Sequence, residues 1–142
     1  MTSGLKEMEK KTVRVVCALL LKGRKLFIAE RDYGEFKGLY EFPGGKVELG
    51  ESPEEAIVRE IKEELNTEIR VKCFLFNEHY EYPAFLLDMD CFLCEVKEGH
   101  LNVEKGIHSA EKWISKEEAS SISWCPADKE VYEKAEKLLW LD

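Results

Sequence analysis

"GGKVELGESPEEAIVREIKEELN", Gly44 to Asn66, decides how the rest of the chain is read. It sets seven glutamates against Lys46, Arg59 and Lys62, a net of −4, which is half of the chain's net charge of −8. The acidity is local and needs a local cause. Ser52, Pro53 and Glu55 spell a helix start: a hydroxyl at the N-cap, proline at the first helical position, and a glutamate that closes a capping box. Ile57, Ile61 and Leu65 recur every four residues with Val58 beside them, so one stripe of this helix is expected to be buried. At about 100° per residue, Glu60, Glu63 and Glu64 fall within one arc that borders the stripe. Like charges at these spacings repel, and Arg59, four residues before Glu63, is placed to relieve them. The helix follows Gly44-Gly45-Lys46, where backbone can approach an anion and a lysine can contact it. Convergent carboxylates there are hard oxygen ligands suited to Mg²⁺ held together with substrate phosphates. The alternative is a solvated acidic helix face.

Outward from this stretch, "TVRVVCALLL" from Thr12 and "LFIAER" to Arg31 read as a hairpin of two strands joined at "KGRK", central in a sheet. "RDYGEFKGLY" reads as a glycine-bearing loop leading into the glycine turn. After the helix, "EIRVKCFLFNEHYEY" and "AFLLDMDCFLCEV" form a second hairpin broken at Pro83, and "EKWI" a last short strand. Ser115 and Glu118 have capping-box spacing for a short helix. Pro126 opens a terminal amphipathic helix with Val131, Ala135, Leu138 and Leu139 on its buried side. The order β-β-α-β-β-β-α predicts an α+β domain, a mixed sheet with helices against its faces, over residues 12–142. Residues 1–11 read as a flexible leader.

With 142 residues and 44% hydrophobic content, the chain suits a single domain with a sizeable core. Its charge of −8 and pI near 5.1 argue against a nucleic-acid polymer or an anionic membrane as partner, while a small anion bridged by a cation remains open. Five cysteines, without a secretory signal or an apolar run of transmembrane length, fit reduced thiols in a cytoplasmic protein. Cys91 and Cys94 lie three apart in a strand-like run, so they point to opposite faces and read as structural thiols, not as a zinc or redox pair.

From Gly45 to Glu64 the sequence resembles the Nudix box, G-x5-E-x7-R-E-U-x-E-E-x-G-U with U aliphatic, matched at Gly45, Glu51, Arg59, Glu60, Ile61, Glu63 and Glu64. Asn66 and Thr67 depart from the last two positions. Asparagine tolerates the left-handed conformation of a helix terminus, and the threonine bears on local packing. The resemblance runs from about Val13 to the C-terminus and is nearest to MutT-like nucleoside triphosphate pyrophosphohydrolases. It implies an α/β/α sandwich around a mixed sheet, and Mg²⁺ or Mn²⁺ held by the Gly44 carbonyl with Glu60, Glu63 and Glu64. It also implies that Arg59 orients the glutamates, Lys46 meets phosphate, Glu51 supports the loop and Glu60 is the first choice of base. Water would attack phosphorus to give a monophosphate and pyrophosphate. Relatives carry a further glutamate six residues before the tryptophan matched by Trp113; here that position is Ile107, with Glu104, His108 and Glu111 near it.

Substrate choice rests on other residues. Arg31 matches an arginine that contacts substrate in similar enzymes, with an exposed strand-end charge as the alternative. Asp128, in "WCPAD", matches a base-reading position, with stabilisation of the last helix's first turn as the alternative. As an ionised acceptor it would favour an amino-bearing base, which leans towards CTP or dCTP with 8-oxo-dGTP close behind. Tyr33, Phe36 and Tyr40 are candidates for stacking on the base. Competing expectations are hydrolysis of ADP-ribose or another nucleoside diphosphate derivative, and a non-catalytic nucleotide-sensing domain. Monomer and homodimer both stay open.

Overall fold

A computed structural model describes residues 10–99 and 108–139 of the protein. Its elements are β1 (Lys11–Lys22), β2 (Lys25–Arg31), β3 (Tyr40–Glu41), β4 (Gly44–Lys46), α1 (Pro53–Leu65), β5 (Thr67–Glu81), β6 (Phe85–Gly99), β7 (His108–Ile114) and α2 (Pro126–Leu139). Strands run in the order β3-β2-β1-β6-β5, with β4 also on β1 and β7 also on β2. The sheet is mixed: β1 pairs with β6 in parallel from Lys11 opposite Phe85 to Leu20 opposite Cys94, and the other pairings are antiparallel.

β1 is buried on both faces, and that is why "VVCALLL" is apolar without a break. Val16, Ala18 and Leu20 point to one side, where they meet Ile57, Ile61 and Leu65 of α1 together with Phe27 and Phe92. Cys17 and Leu19 point to the other side, where Val131 and Ala135 of α2 join Ile28, Phe42 and Met89. Cys91 belongs to the α2 side and Cys94 to the α1 side, both buried, so the two thiols diverge as strand alternation requires.

β1 and β2 pair only near their turn, Leu21 with Leu26 and Lys22 with Lys25. Beyond that point the chain from Tyr40 to Lys46 crosses between them. β3 adds to β2 at Ala29 and Glu30, Pro43 accepts from the Ala18 amide at 2.8 Å, and β4 adds to β1 at Val15–Cys17. Here the structure departs from the expected loop and glycine turn. Strands of two and three residues are too short to leave a periodic signal in the sequence.

Other differences are smaller. β1 begins at Lys11, which the sequence placed in the leader, and the Lys10 ammonium pairs with Glu81; residues 1–9 lie outside the described residues. Val58 is 40% exposed and Leu138 50% exposed, so neither belongs to the buried stripes. On α2 the buried positions are Ala127, Asp128, Val131, Tyr132 and Ala135, a spacing of four that leaves Leu138 turned outward. Ser115 and Glu118 do cap one another, but the turn they open leads to a 3-10 segment, Ala119–Ser121, and not to an α-helix. Among the described residues no helix is long and apolar enough to cross a membrane.

α1 starts and stops as expected. Ser52 accepts from the Glu55 amide at 3.1 Å while Glu55 accepts from the Ser52 amide at 2.9 Å. Asn66 closes the helix in the left-handed region at φ 49. Thr67 is fully buried where an aliphatic residue was expected, and its hydroxyl donates to the Leu65 carbonyl at 2.8 Å, so no polar atom is stranded. Replacing Ser52 with Ala removes one arm of the capping box. The urea midpoint is expected to fall by the equivalent of about 1 kcal/mol with the slope unchanged.

Candidate active site

Arg59 is the centre of the acidic helix. Its Nε and one terminal nitrogen grip both oxygens of Glu51 at 2.6 and 3.0 Å, a bidentate pair that ties the helix to the loop before it. The other terminal nitrogen donates to Glu60 and to Glu63, each at 3.0 Å, and a third contact reaches the Lys46 carbonyl at 3.0 Å. The hydrogen bond to Arg59 holds the Glu51 carboxyl below its ordinary range, and the same pair raises the guanidinium. One guanidinium thus relieves the like-charge crowding and fixes where the glutamates point.

Backbone crowds the first glycine of the turn and a side-chain end the second. A Cβ on Gly44 would overlap the Val16 carbonyl and leave only 2.8 Å to the Cys17 Cα, since β4 lies directly on β1. A Cβ on Gly45 would overlap the Glu60 carboxylate. Burial raises the Glu60 carboxyl above its ordinary value despite Arg59. Burial, then the charges of Glu60 and Glu41, push Glu64 up to about 8. Its Oε1 is buried with no hydrogen-bond partner, although the Gly44 backbone supports the carboxylate. An orphaned carboxylate oxygen beside a second desolvated carboxylate fits a small divalent cation. Such an ion would supply the partner that Glu64 lacks.

These groups open onto a cleft of about 510 Å³. Gly44, Lys46, Glu60 and Glu64 line it, and so do Arg31 and Asp128 from elements distant in sequence. Glu63 does not line it; it is 61% exposed and stands at the rim, held by Arg59. Arg31 pairs with Glu41 at 3.1 Å, lies 4.7 Å from the centre of the Tyr33 ring, and has a buried Nε without a partner. The exposed strand-end alternative for Arg31 therefore fails, because β3 brings Glu41 against it.

Asp128 forms part of the floor. It is only 8% exposed, and its Oδ1 accepts from the Phe42 amide at 3.0 Å. Burial, then the Glu41 charge, push its carboxyl up to about 8. This burial works against the ionised acceptor expected from the sequence and favours the protonated carboxyl, which can donate as well as accept. The sequence placed it in the first turn of a helix, which would lower its pKa; packing of α2 against the sheet overrides that. Glu41, Cys125 and Asp128 also bring one donor atom each within 4.8 Å of one another. Arg31 already pairs with Glu41, and burial pushes the Cys125 thiol up to about 12. This trio is a poorer cradle for a hard divalent ion than the helix carboxylates.

Of the three proposed stacking residues, Tyr33 and Phe36 line the cleft, while Tyr40 packs into the α2-side core beneath Lys112. Tyr82 and Phe85 line the cleft as well, with ring centres 5.0 Å apart in a stacked pair. Sequence reasoning missed these two and Glu41, because each reaches the site through strand pairing or the β5–β6 turn. Glu104 and Ile107 lie outside the described residues. His108 is placed by its backbone opposite Arg31, and Glu111 lies opposite Ala29 without lining the cleft.

The NUDIX domain model matches residues 10–135. The chain belongs to the Nudix family. Among curated Nudix relatives, it is 34% identical over 119 residues to a CTP pyrophosphohydrolase of Escherichia coli, covering 83% of this chain and 87% of the relative. It is 31% identical over 101 residues to an 8-oxo-dGTP diphosphatase of Proteus vulgaris, covering 70% of this chain and 90% of the relative. Among solved structures, the E. coli ORF135 protein superposes with a TM-score of 0.79 at 31% identity, covering 94% of this chain and 95% of that one. A MutT Nudix hydrolase from Burkholderia pseudomallei shares the fold with a TM-score of 0.79 at 22% identity, covering 88% of this chain and 98% of that one. The α+β sandwich and the hydrolase class read from the box are therefore shown.

Gly45→Ala separates the site from the fold, because only the far end of the Glu60 side chain has to move. Mg²⁺ affinity measured by calorimetry is expected to fall by about tenfold, with the thermal midpoint nearly unchanged.

Proposed function

We propose that this Nudix hydrolase converts a nucleoside triphosphate, CTP or dCTP foremost, to the monophosphate and pyrophosphate with a divalent ion, Mg²⁺ or Mn²⁺. The observation that carries the proposal is the joining, in one cleft, of the Glu60 and Glu64 carboxylates with Lys46, Arg31 and the buried Asp128. The E. coli relative named CTP pyrophosphohydrolase supports the choice of base.

The chain's own residues divide the work. Glu60 and Glu64, with the Gly44 carbonyl, would hold the cation, and Glu63 would join them from the rim. A cation bound there lowers the pKa of water and neutralises charge on phosphate oxygens. Arg59 keeps the glutamates aimed, and Lys46 and Arg31 meet phosphate. The oxygen of water bonds to phosphorus as the bridging phosphorus–oxygen bond breaks; the bonding pair leaves on the bridging oxygen, and a proton of the water passes to a carboxylate, Glu60 in first place.

Asp128 faces the base together with the aromatic wall of Tyr33, Phe36, Tyr82 and Phe85. Above pH 8 it is ionised and accepts only, which favours an amino group such as cytosine N4 and disfavours the uracil O4 acceptor. Below pH 8 its proton lets it meet either edge. A second substrate, 8-oxo-dGTP, is favoured by the same proton and by the Proteus vulgaris relative of that name. A purely sensing role is disfavoured by the complete set of Arg59, Glu60, Glu63 and Glu64.

A panel of nucleoside triphosphates assayed for pyrophosphate with Mg²⁺ tests the proposal. Glu64→Gln is expected to lower kcat on the order of 10²-fold, and Glu63→Gln to lower it as well. No turnover of any triphosphate, or full activity in both variants, sinks the idea; two monophosphates as products would move the substrate to a nucleoside diphosphate derivative. The kcat/KM ratio of CTP over UTP is expected to rise between pH 7 and pH 9, and Asp128→Asn to flatten it. Because both substrates share the metal carboxylates, their titration cancels in the ratio.

A further inference from the structure

On the strength of the triphosphate reading above, we propose that Lys11 receives the terminal phosphate of the substrate, in a second groove that adjoins the catalytic cleft. This groove, of about 490 Å³, lies between the first residues of β1 and the loop from Lys46 to Glu51. Val13, Lys46 and Glu48 line both spaces, so the groove adjoins the cleft.

Strand geometry sets the lysines on one side. Side chains alternate along β1, so Lys11 shares a face with Val13 and Val15, both of which line the cleft. Lys46 stands opposite Val15 in the β1–β4 pairing and so shares that face too. Four residues of strand separate Lys11 from Val15, about 13 Å along β1. Among the described residues, Lys10 is paired with Glu81 and Arg14 lies 4.0 Å from Asp88, whereas neither Lys11 nor Lys46 is in an ion pair. The two carboxylates that line the groove, Glu48 and Glu51, both pair with Arg59, so the two lysines on this face are left to meet an anion.

Asp128 and Glu41 bring donor atoms within 4.8 Å of one another, Glu64 and Glu60 line the same cleft, and Glu60 lies against Gly45, next to Lys46. A nucleotide with its base at Asp128 and its phosphates over Glu64 and Glu60 leaves the cleft past Lys46, towards Lys11. Lys11 then binds the phosphate farthest from the nucleoside, which a diphosphate lacks, and so discriminates by chain length.

Lys11 is exposed at the start of its strand, so its replacement leaves the core untouched. Inorganic pyrophosphate is titrated calorimetrically, with Mg²⁺ present, into the wild-type protein, Lys11→Gln and Lys11→Arg. Lys11→Gln is expected to weaken pyrophosphate binding by about tenfold, and Lys11→Arg to retain it. In steady-state assays kcat/KM should fall by a similar factor for the triphosphate and stay unchanged for the diphosphate of the same base. Unaltered pyrophosphate affinity in Lys11→Gln overturns the assignment, and so does an equal loss for both nucleotides. If the wild type turns over no triphosphate, the substrate reading fails instead, and the pyrophosphate titration still decides on Lys11.

Discussion

The guanidinium of Arg59 is the contact on which the site depends. It joins three pieces that would otherwise be independent: the loop through Glu51, the glycine strand through the Lys46 carbonyl, and the helix's own Glu60 and Glu63. Planarity matters here, because a lysine ammonium has no fork with which to hold both oxygens of Glu51 while reaching Glu60. Without the fork, carboxylates one turn apart would splay into solvent.

This hub works because the backbone around it is packed to contact. β4 sits so closely on β1 that only glycine fits at position 44, and the Glu60 carboxylate lies so closely on β4 that a side chain at position 45 would displace it. Stability and chemistry are coupled at this point. The α1 stripe of Ile57, Ile61 and Leu65 anchors the helix in the core, and this same anchoring desolvates Glu60 and Glu64 at its edge. Their raised pKa values are the cost of holding two carboxylates out of water, a cost that a bound cation would offset.

The rest of the cleft follows a different logic. Asp128 comes from α2 on the opposite face of the sheet, and Glu41 and Arg31 from the β2–β3 edge. They meet because β1 and β2 diverge after their turn and the segment from Tyr40 to Lys46 crosses the opening. The cleft is therefore a consequence of topology, a place where the sheet parts between two helices.

Sequence alone determined α1, its capping box, its left-handed terminus at Asn66 and the alignment of Arg59 with Glu51, Glu60 and Glu63. All of these are set by interactions within about 20 residues, where spacing translates directly into geometry. It also determined that "VVCALLL" is buried on both faces and that Cys91 and Cys94 part company, because strand alternation is strictly local. Tertiary structure alone decided that β3 and β4 exist, that Glu41 faces Arg31, that Tyr82 and Phe85 join the cleft while Tyr40 leaves it, and that burial pushes the Asp128 carboxyl up. Each of these depends on burial and on charges brought from distant segments, and neither is encoded in the identity of the residue or in its neighbours along the chain.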